Sequence, residues 1–176
     1  MYSEEYLEEL KNLHIDPKRP QGFGGKVKDL GDFHNYMNYW TPKTCLDYGC
    51  GKGVILAYLK ETYTSTEFVG YDPALNMWSH KPSNYFSAVF CNDVLEHIEP
   101  QYIKQVLQDI NNYAKEYVWL RIDTKPARKK LSDGRNAHLI IEDKDWWIDK
   151  IQNEIGGHIV YSDVNKKGKL DIAIEK

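Results

Sequence analysis

Apolar and polar positions along the chain follow two periods, which predict strands and helices in turn. Short apolar runs bounded by glycine, proline or charged residues predict strands at 44–49, 67–72, 87–93 and 116–123. Apolar residues at helical spacing predict helices at 3–14, 29–40, 53–62, 101–114 and 143–154. Because the central strands and helices alternate, we expect a parallel sheet with helices on both faces.

The last part of the chain departs from this alternation. The runs HIVYSD and KLDIAIEK flank a turn at 165–168 and predict a β-hairpin, which adds an antiparallel edge to the sheet. The expected fold class is α/β, with a doubly wound, mostly parallel sheet that ends in a C-terminal antiparallel hairpin. Residues 1–42 would form an N-terminal helical extension, and residues 43–176 would form the domain that contains the sheet.

Composition and charge narrow the class of protein. Hydrophobic residues make up 41% of the 176 residues, which excludes a disordered chain. The formal net charge of -3 lacks the basic excess that is typical of a general nucleic-acid binder. No apolar run is long enough to cross a bilayer, and the acidic N-terminus does not have the pattern of a signal peptide. Cys45, Cys50 and Cys91 cannot all pair with one another, so we expect reduced thiols in a cytoplasmic protein.

The strongest local signal is DYGCGKG, which follows a predicted strand and precedes a predicted helix. Gly49, Gly51 and Gly53 alternate there behind Asp47, and such a loop lets a ligand lie against bare backbone beside the N–H groups of a helix start. Asp72 ends the next predicted strand, where a carboxylate can accept both hydroxyls of a ribose. The pattern favours an adenosine-type cofactor over an ordinary glycine-rich turn.

Three segments, LDYGCGKG, FVGYDP and FCNDVLEHIEP, resemble motifs of the Rossmann-like (class I) S-adenosylmethionine-dependent methyltransferases. The nicotinamide enzymes, whose loop reads GxGxxG, are a weaker alternative. The resemblance implies S-adenosylmethionine as the cofactor, with Asp47 near its amino group, Asp72 on its ribose and the end of the 87–93 strand at its sulfonium. The implied cofactor contacts are Asp47, Gly49, Cys50, Gly51, Gly53, Asp72, Pro73, Asn92 and Asp93. The extension at 1–42 would act as a lid over the cofactor, as extensions do in this family.

The sequence departs from the family pattern after Asp72. Only PALNMWSHKPSNYFS separates it from the next strand, which is too short for the family's helix and third strand. We therefore expect six strands, with the third family strand missing. Adenine contacts would come from Leu75, Met77 or Trp78, although Met77 and Trp78 are equally consistent with core packing.

The segment NDVLEHIEP contains candidate metal ligands. If it is helical, Asp93, Glu96 and His97 share one face, and His138 could complete a set for a divalent ion such as Mg or Mn. The pattern is similar to that of the small-RNA 2′-O-methyltransferases, and it resembles the metal-assisted O-methyltransferases of ubiquinone synthesis. Two alternatives remain open, a His97 that faces the substrate without metal and a purely structural His97.

A second polar segment, RKKLSDGRNAHLIIEDKDWW, follows the fourth predicted strand, beyond whose carboxyl end ligands gather in such sheets. Arg135, His138 and Trp146 could hold a substrate there, because arginine and tryptophan bind sugars, anions and rings. The alternative is that Arg135 is solvated and that Trp146 or Trp147 packs a helix on the sheet.

These patterns predict an S-adenosylmethionine-dependent methyltransferase that methylates an oxygen of a small polar or sugar-like molecule. His97 or His138 would act as the base, with Asp93 beside the reacting group. We expect a small-molecule partner rather than nucleic acid, and no membrane; the oligomeric state is open. The alternatives are a cofactor-binding subunit without activity of its own and a metal-assisted RNA 2′-O-methyltransferase-like enzyme.

Overall fold

The computed structural model describes residues 2–15, 27 and 30–176, and its elements alternate as the apolar pattern predicts. The helices are α1 (Glu4–His14), α2 (Phe33–Trp40), α3 (Val54–Thr62), α4 (Ile103–Tyr113) and α5 (Lys144–Glu154). The strands are β1 (Thr44–Tyr48), β2 (Glu67–Tyr71), β3 (Phe86–Asn92), β4 (Ala114–Asp123), β5 (His158–Val164) and β6 (Lys169–Glu175). Single 3-10 turns lie at Asn76–Trp78, Leu95–His97 and Pro100–Tyr102.

Within the described residues, the strands form one sheet in the order β2-β1-β3-β4-β6-β5. The first four strands in this order pair in parallel, and β6 pairs antiparallel with both β4 and β5. The connection from β2 to β3 contains only the 3-10 turn at Asn76–Trp78, so the prediction of six strands without the third family strand is confirmed. The α/β class with a terminal hairpin is confirmed as well.

Successive residues of a strand point to opposite faces of the sheet, so the buried strands present apolar side chains on both faces. Helices cover both of these faces. On one face, α4 and α5 pack against the side of β3 that presents Val89. On the other face, α2 and α3 pack against the side that presents Phe90, whose ring lies 4.3 Å from that of Phe33. Trp147 is fully buried on α5, so one of the two adjacent tryptophans does pack in the core as expected.

Helix α1 does not belong to either layer and instead lies over the carboxyl edge of the sheet. Ser3 caps the helix through a hydrogen bond from the Tyr6 N–H. Ser3 also donates both its N–H and its hydroxyl to the Glu99 carboxylate, at 2.8 and 2.9 Å. The apolar side of α1 packs against the segment that follows β4, through Tyr6, Leu13, Leu131 and Ala137. Residues 16–26 of the predicted N-terminal extension lie outside the described residues.

In the part of the chain that the structure describes, no helix combines the length and the apolar character that a bilayer span requires.

Candidate active site

The DYGCGKG loop turns sharply between β1 and α3 and is tied to the end of β2. Gly49 and Cys50 donate their N–H groups to the Tyr71 carbonyl oxygen, at 2.7 and 3.1 Å. Gly49 has a φ of 82°, and a β-carbon at this position would collide with the side chain of Val94. Only glycine therefore fits where the loop passes the end of β3.

A cleft of about 540 Å³, including its open mouth, lies at the carboxyl ends of the parallel strands. The strand order reverses at this point, because β1 pairs with β2 on one side and with β3 on the other. Three groups of residues line it, and we name each by its origin. The glycine wall consists of Gly49, Gly51, Asp72, Pro73 and Ala74. The β3 wall consists of Asp93, Val94, His97 and Ile98. The helix wall consists of Tyr2, Leu10, Leu13 and His14.

Asp72 links the two parts of the glycine wall through hydrogen bonds. One of its carboxylate oxygens accepts the Gly51 N–H at 2.9 Å, and the other accepts the Ala74 N–H at 2.9 Å. Each oxygen of a carboxylate can accept a further hydrogen bond, so the side chain keeps capacity for a ligand hydroxyl. Sequence reasoning identified this carboxylate but not its backbone partners.

Asp47 lies behind the glycine wall, at the end of β1. It is almost fully buried, and its Oδ2 atom has no hydrogen-bond partner among the described residues. Burial, with a smaller contribution from Asp72, raises the pKa of Asp47 to about 8. A buried carboxyl with an unused oxygen is suited to a cationic ligand group, whose positive charge would stabilise the carboxylate. Cys50, Gly53 and Asn92, which were also predicted to contact the cofactor, are not among the residues that line the cleft.

Asp93 begins the β3 wall in a left-handed conformation, with a φ of 54°. Its Oδ1 atom accepts a hydrogen bond from the Lys169 ammonium at 2.7 Å, and the same ammonium lies 3.0 Å from Asp123 Oδ2. The left-handed turn, followed by one 3-10 turn at Leu95–His97, removes the helical face that the prediction required. The expectation that Asp93 joins Glu96 and His97 in a metal set is therefore corrected.

Glu96, His97 and His138 do converge, as the sequence predicted. One potential ligand atom from each lies within 4.8 Å of the others, and the two imidazole rings meet edge to face. Glu96 is fully buried; its Oε1 atom accepts the Asp123 N–H at 2.9 Å, and its Oε2 atom is without a partner among the described residues. This cluster is therefore chemically incomplete, because a buried carboxylate oxygen lacks a donor or cation.

The two histidines share one orientation. His97 Nδ1 lies 2.7 Å from the Ala137 carbonyl oxygen, and His138 Nδ1 lies 2.5 Å from that of Lys125. Because a carbonyl oxygen only accepts, each Nδ1 carries the hydrogen and each Nε2 carries the lone pair. Burial, and next the neighbouring His138, lower the pKa of His97 to about 4, so this imidazole is neutral at neutral pH.

None of the three predicted substrate residues lines the cleft. His138 contacts His97 instead. Arg135 is exposed and forms an ion pair with Asp133, at 2.6 Å between Nε and Oδ2. Trp146 packs against the core beside α4 and α5 and lies under the Lys150 ammonium. Near the expected adenine end, Trp78 packs against the core on the α3 face, whereas Met77 is 72% exposed.

Two functional candidates escaped sequence reasoning. His14 ends α1 and reaches the cleft from the helix wall. Lys169 reaches Asp93 from the hairpin, 76 positions further along the chain. A lone histidine in an amphipathic helix and a lysine after a turn carry no motif, so only the folded chain shows their positions.

A protein-family model described as a methyltransferase domain matches residues 27–167, which is most of the chain. The chain belongs to this family. It is a class I S-adenosylmethionine-dependent methyltransferase, as the three motifs implied, and the nicotinamide alternative is set aside. The curated proteins compared with the chain gave no match.

Solved structures of methyltransferases share the fold of this methyltransferase. A 1,6-didemethyltoxoflavin N1-methyltransferase from Burkholderia thailandensis, solved with that compound and S-adenosylhomocysteine, has a TM-score of 0.69 at 15% identity over 98% of this chain and 89% of its own. An S-adenosylmethionine-dependent methyltransferase from Mesorhizobium loti has a TM-score of 0.60 at 9% identity, covering 86% of this chain and 100% of its own. An O-methyltransferase family protein from Burkholderia thailandensis has a TM-score of 0.60 at 13% identity over 84% of this chain. The chain spans 53% of that protein's length.

Proposed function

We propose that this methyltransferase transfers the methyl group to a hydroxyl oxygen of a small polar, sugar-like molecule. The observation that carries the proposal is the orientation of His97 on the β3 wall. Its Nδ1 hydrogen is engaged by the Ala137 carbonyl, so in the neutral ring Nε2 is the basic nitrogen, and the residue lines the cleft. A hydroxyl is a weak nucleophile until it loses its proton, so a neutral imidazole beside the cleft suits an oxygen acceptor.

The residues present fit the cofactor at the glycine wall. Backbone at Gly49 and Gly51 would pack against it, Asp72 would accept ribose hydroxyls, and Asp47 would pair its unused oxygen with the amino group. Gly53, Cys50, Pro73 and Asn92 would complete the surroundings. When bound, S-adenosylmethionine supplies an electrophilic methyl group on a sulfonium. The chain's own task is then alignment of the two reactants and removal of one proton.

On the β3 wall, Asp93 would accept a hydrogen bond from the acceptor hydroxyl and so orient it. The Lys169 ammonium holds one carboxylate oxygen of Asp93, and Asp93 lines the cleft. His97 would take the proton at Nε2, and the adjacent His138 would support it as the second basic residue of the site. Arg135 and Trp146 are not part of this mechanism.

We propose further that α1 is the lid of this cleft, which keeps water from the reacting atoms. Ser3, Tyr6 and Glu9 fasten it, with Glu9 accepting hydrogen bonds from Ser132 and the Tyr6 hydroxyl donating to the His97 carbonyl at 2.5 Å. On this view α1 is the part of the extension at 1–42 that serves the cofactor, whereas α2 packs on the sheet, and residues 43–176 carry the chemistry.

A small acceptor fits this chain better than nucleic acid does. The net charge of -3 and the acidic groups around Lys169 disfavour a phosphate backbone. Relatives of the same fold act on either oxygen or nitrogen, since one is an O-methyltransferase family protein and another a toxoflavin-type N1-methyltransferase. The orientation of His97 is what favours oxygen here. Three free, buried thiols also agree with a cytoplasmic setting.

The test is a methyl-transfer screen with radiolabelled S-adenosylmethionine against sugars, polyols, phenols, amines and RNA oligonucleotides. We expect turnover with a hydroxyl compound and its loss in His97→Ala, with His158→Ala, on the outer hairpin, as the matched control. Transfer confined to amines or to RNA would contradict the proposal. Absence of any transfer, with intact cofactor binding, would favour a subunit that acts only with a partner.

The cluster at Glu96 favours a second candidate, a metal-assisted O-methyltransferase. Two imidazoles with fixed Nδ1 hydrogens and one buried carboxylate oxygen without a partner form a donor set for a divalent ion. The nitrogen donors suit Mn better than Mg. Glu96, His97 and His138 would hold the ion, which would lower the pKa of a bound hydroxyl. This version of the site would also admit a 2′-hydroxyl of RNA.

Titration of the metal-stripped protein with Mn²⁺ distinguishes the two candidates. Metal assistance predicts one tight site that disappears in Glu96→Gln and persists in Glu142→Gln, an exposed control. It also predicts that chelation removes activity and that Mn²⁺ restores it. Full activity in the presence of a chelator, with no Mn²⁺ bound, would leave the metal-free mechanism as the function of the cluster.

A further inference from the structure

We propose that His14 contacts the nucleoside part of S-adenosylmethionine, so that the last residue of α1 belongs to the cofactor site. This inference rests on the cofactor placement under Proposed function and adds a contact that no motif identifies. The helix wall would then belong to the cofactor-binding site as well as cover it.

The buried side chain of His14 has one polar atom without a partner among the described residues. His14 is 6% exposed, and its Nδ1 atom has no hydrogen-bond partner among the described residues. Buried polar atoms in folded proteins are nearly always hydrogen-bonded, so an orphan nitrogen calls for a partner. The imidazole lines the cleft, so a ligand in the cleft can provide that partner.

His14 also lies near a charged residue of the proposed cofactor site. It faces the same cleft as Asp72, and that carboxylate exerts a noticeable charge effect on it. Burial lowers the pKa of His14, which keeps the imidazole neutral near neutral pH. A neutral imidazole offers one donor and one acceptor, the combination that complements a ribose hydroxyl already donating to a carboxylate.

Packing does not require an imidazole at this position. The neighbouring Leu13 and Leu10 supply the apolar contacts of α1 with the segment after β4. Ser3 and Tyr6 fasten the other end of the helix. The position of His14 is thus fixed by other residues, and its polar atom remains for a ligand.

The experiment is titration of the full chain with S-adenosylhomocysteine by calorimetry. We expect His14→Ala to weaken binding about tenfold, which is the usual effect of removing one hydrogen bond to a ligand. His14→Gln, which keeps a donor and an acceptor, should recover most of the affinity. The control is His158→Ala, which removes an exposed imidazole on β5 and should bind as the unaltered chain does.

Hydrogen exchange provides a readout that does not depend on the variants. Addition of S-adenosylhomocysteine to the unaltered chain should slow exchange across residues 4–15, because the ligand bridges α1 to the glycine wall. Equal affinity of His14→Ala and the unaltered chain, or unchanged exchange in α1 with ligand bound, would overturn the inference alone. Failure of the unaltered chain to bind S-adenosylhomocysteine would instead overturn the cofactor placement itself.

Discussion

The glycine wall and the β3 wall line one cleft, yet they are built differently. The glycine wall comes from two short stretches of sequence, at 49–51 and 72–74, and its shape is fixed by hydrogen bonds from backbone N–H groups at the ends of β1 and β2. The β3 wall depends on side chains from distant parts of the chain, including Lys169 from the hairpin. A backbone-built wall suits a cofactor shared by a whole family, whereas a side-chain wall can change with the acceptor.

The strongest way to break the glycine wall is Gly49→Ala. The added carbon would collide with Val94, so the loop must move and cofactor binding should fall by at least about 100-fold. Calorimetry with S-adenosylhomocysteine measures this loss. Gly134→Ala is the matched control, because Gly134 has a similar φ of 88° but open space around its Cα. Similar affinities in the two variants would show that the collision is unimportant.

On the β3 wall, His97→Ala should lower kcat about 100-fold, as loss of a general base does, while cofactor affinity stays within about twofold. Steady-state kinetics with the acceptor found in the screen, together with calorimetry, separate these two effects. If cofactor affinity fell as much as kcat, His97 would contribute to cofactor binding, and the two walls would not have separate roles.

Lys169→Met tests the support of the β3 wall. Without the ammonium, Asp93 loses the partner that orients it, and we expect kcat to fall about tenfold with little change in cofactor affinity. Lys169→Arg should retain part of the activity. Lys166→Met, in the exposed turn before β6, is the control for loss of positive charge. An equal loss in both Met variants would point to overall charge rather than to Asp93.

Asp47→Asn sharpens the comparison through pH. The pKa of Asp47 in the folded protein is about 8, against about 4 for an unfolded aspartate, so the folded chain loses stability as the pH rises across that range. Asp47→Asn should remove this loss and make the ligand-free protein more stable than the unaltered chain at pH 9. Thermal unfolding at pH 5, 7 and 9 measures it. Asp163→Asn, at an exposed site, should follow the unaltered chain.

Local features of the site could be predicted from the sequence, and long-range ones could not. The loop glycines and Asp72 follow from local motifs, whereas the meeting of the distant His97 and His138 was expected only from a family resemblance. Asp93 lies outside the group formed by Glu96, His97 and His138, and the chain turns left-handed there, which no spacing rule includes. Lys169 depends on the register of β6 against β4, where it pairs with Asp123, and periodicity alone does not set that register.

The fold itself was more predictable than the site. Alternating apolar runs locate each strand to within one or two residues, because burial on both faces leaves a clear pattern. The docking of α1 over the cleft was proposed only from family resemblance, since an amphipathic helix shows which face is buried but not against which surface. His14 therefore had no assigned role until its position was known.

The place of β6 in the sheet has a consequence for biosynthesis. This strand is translated after all the others, yet it inserts between β4 and β5 and carries Lys169 to Asp93. A chain that extends only as far as α5 contains every residue of the glycine loop but not the lysine that restrains Asp93. We therefore expect the glycine wall to form before the β3 wall is complete, because Asp93 gains its partner only when β6 inserts.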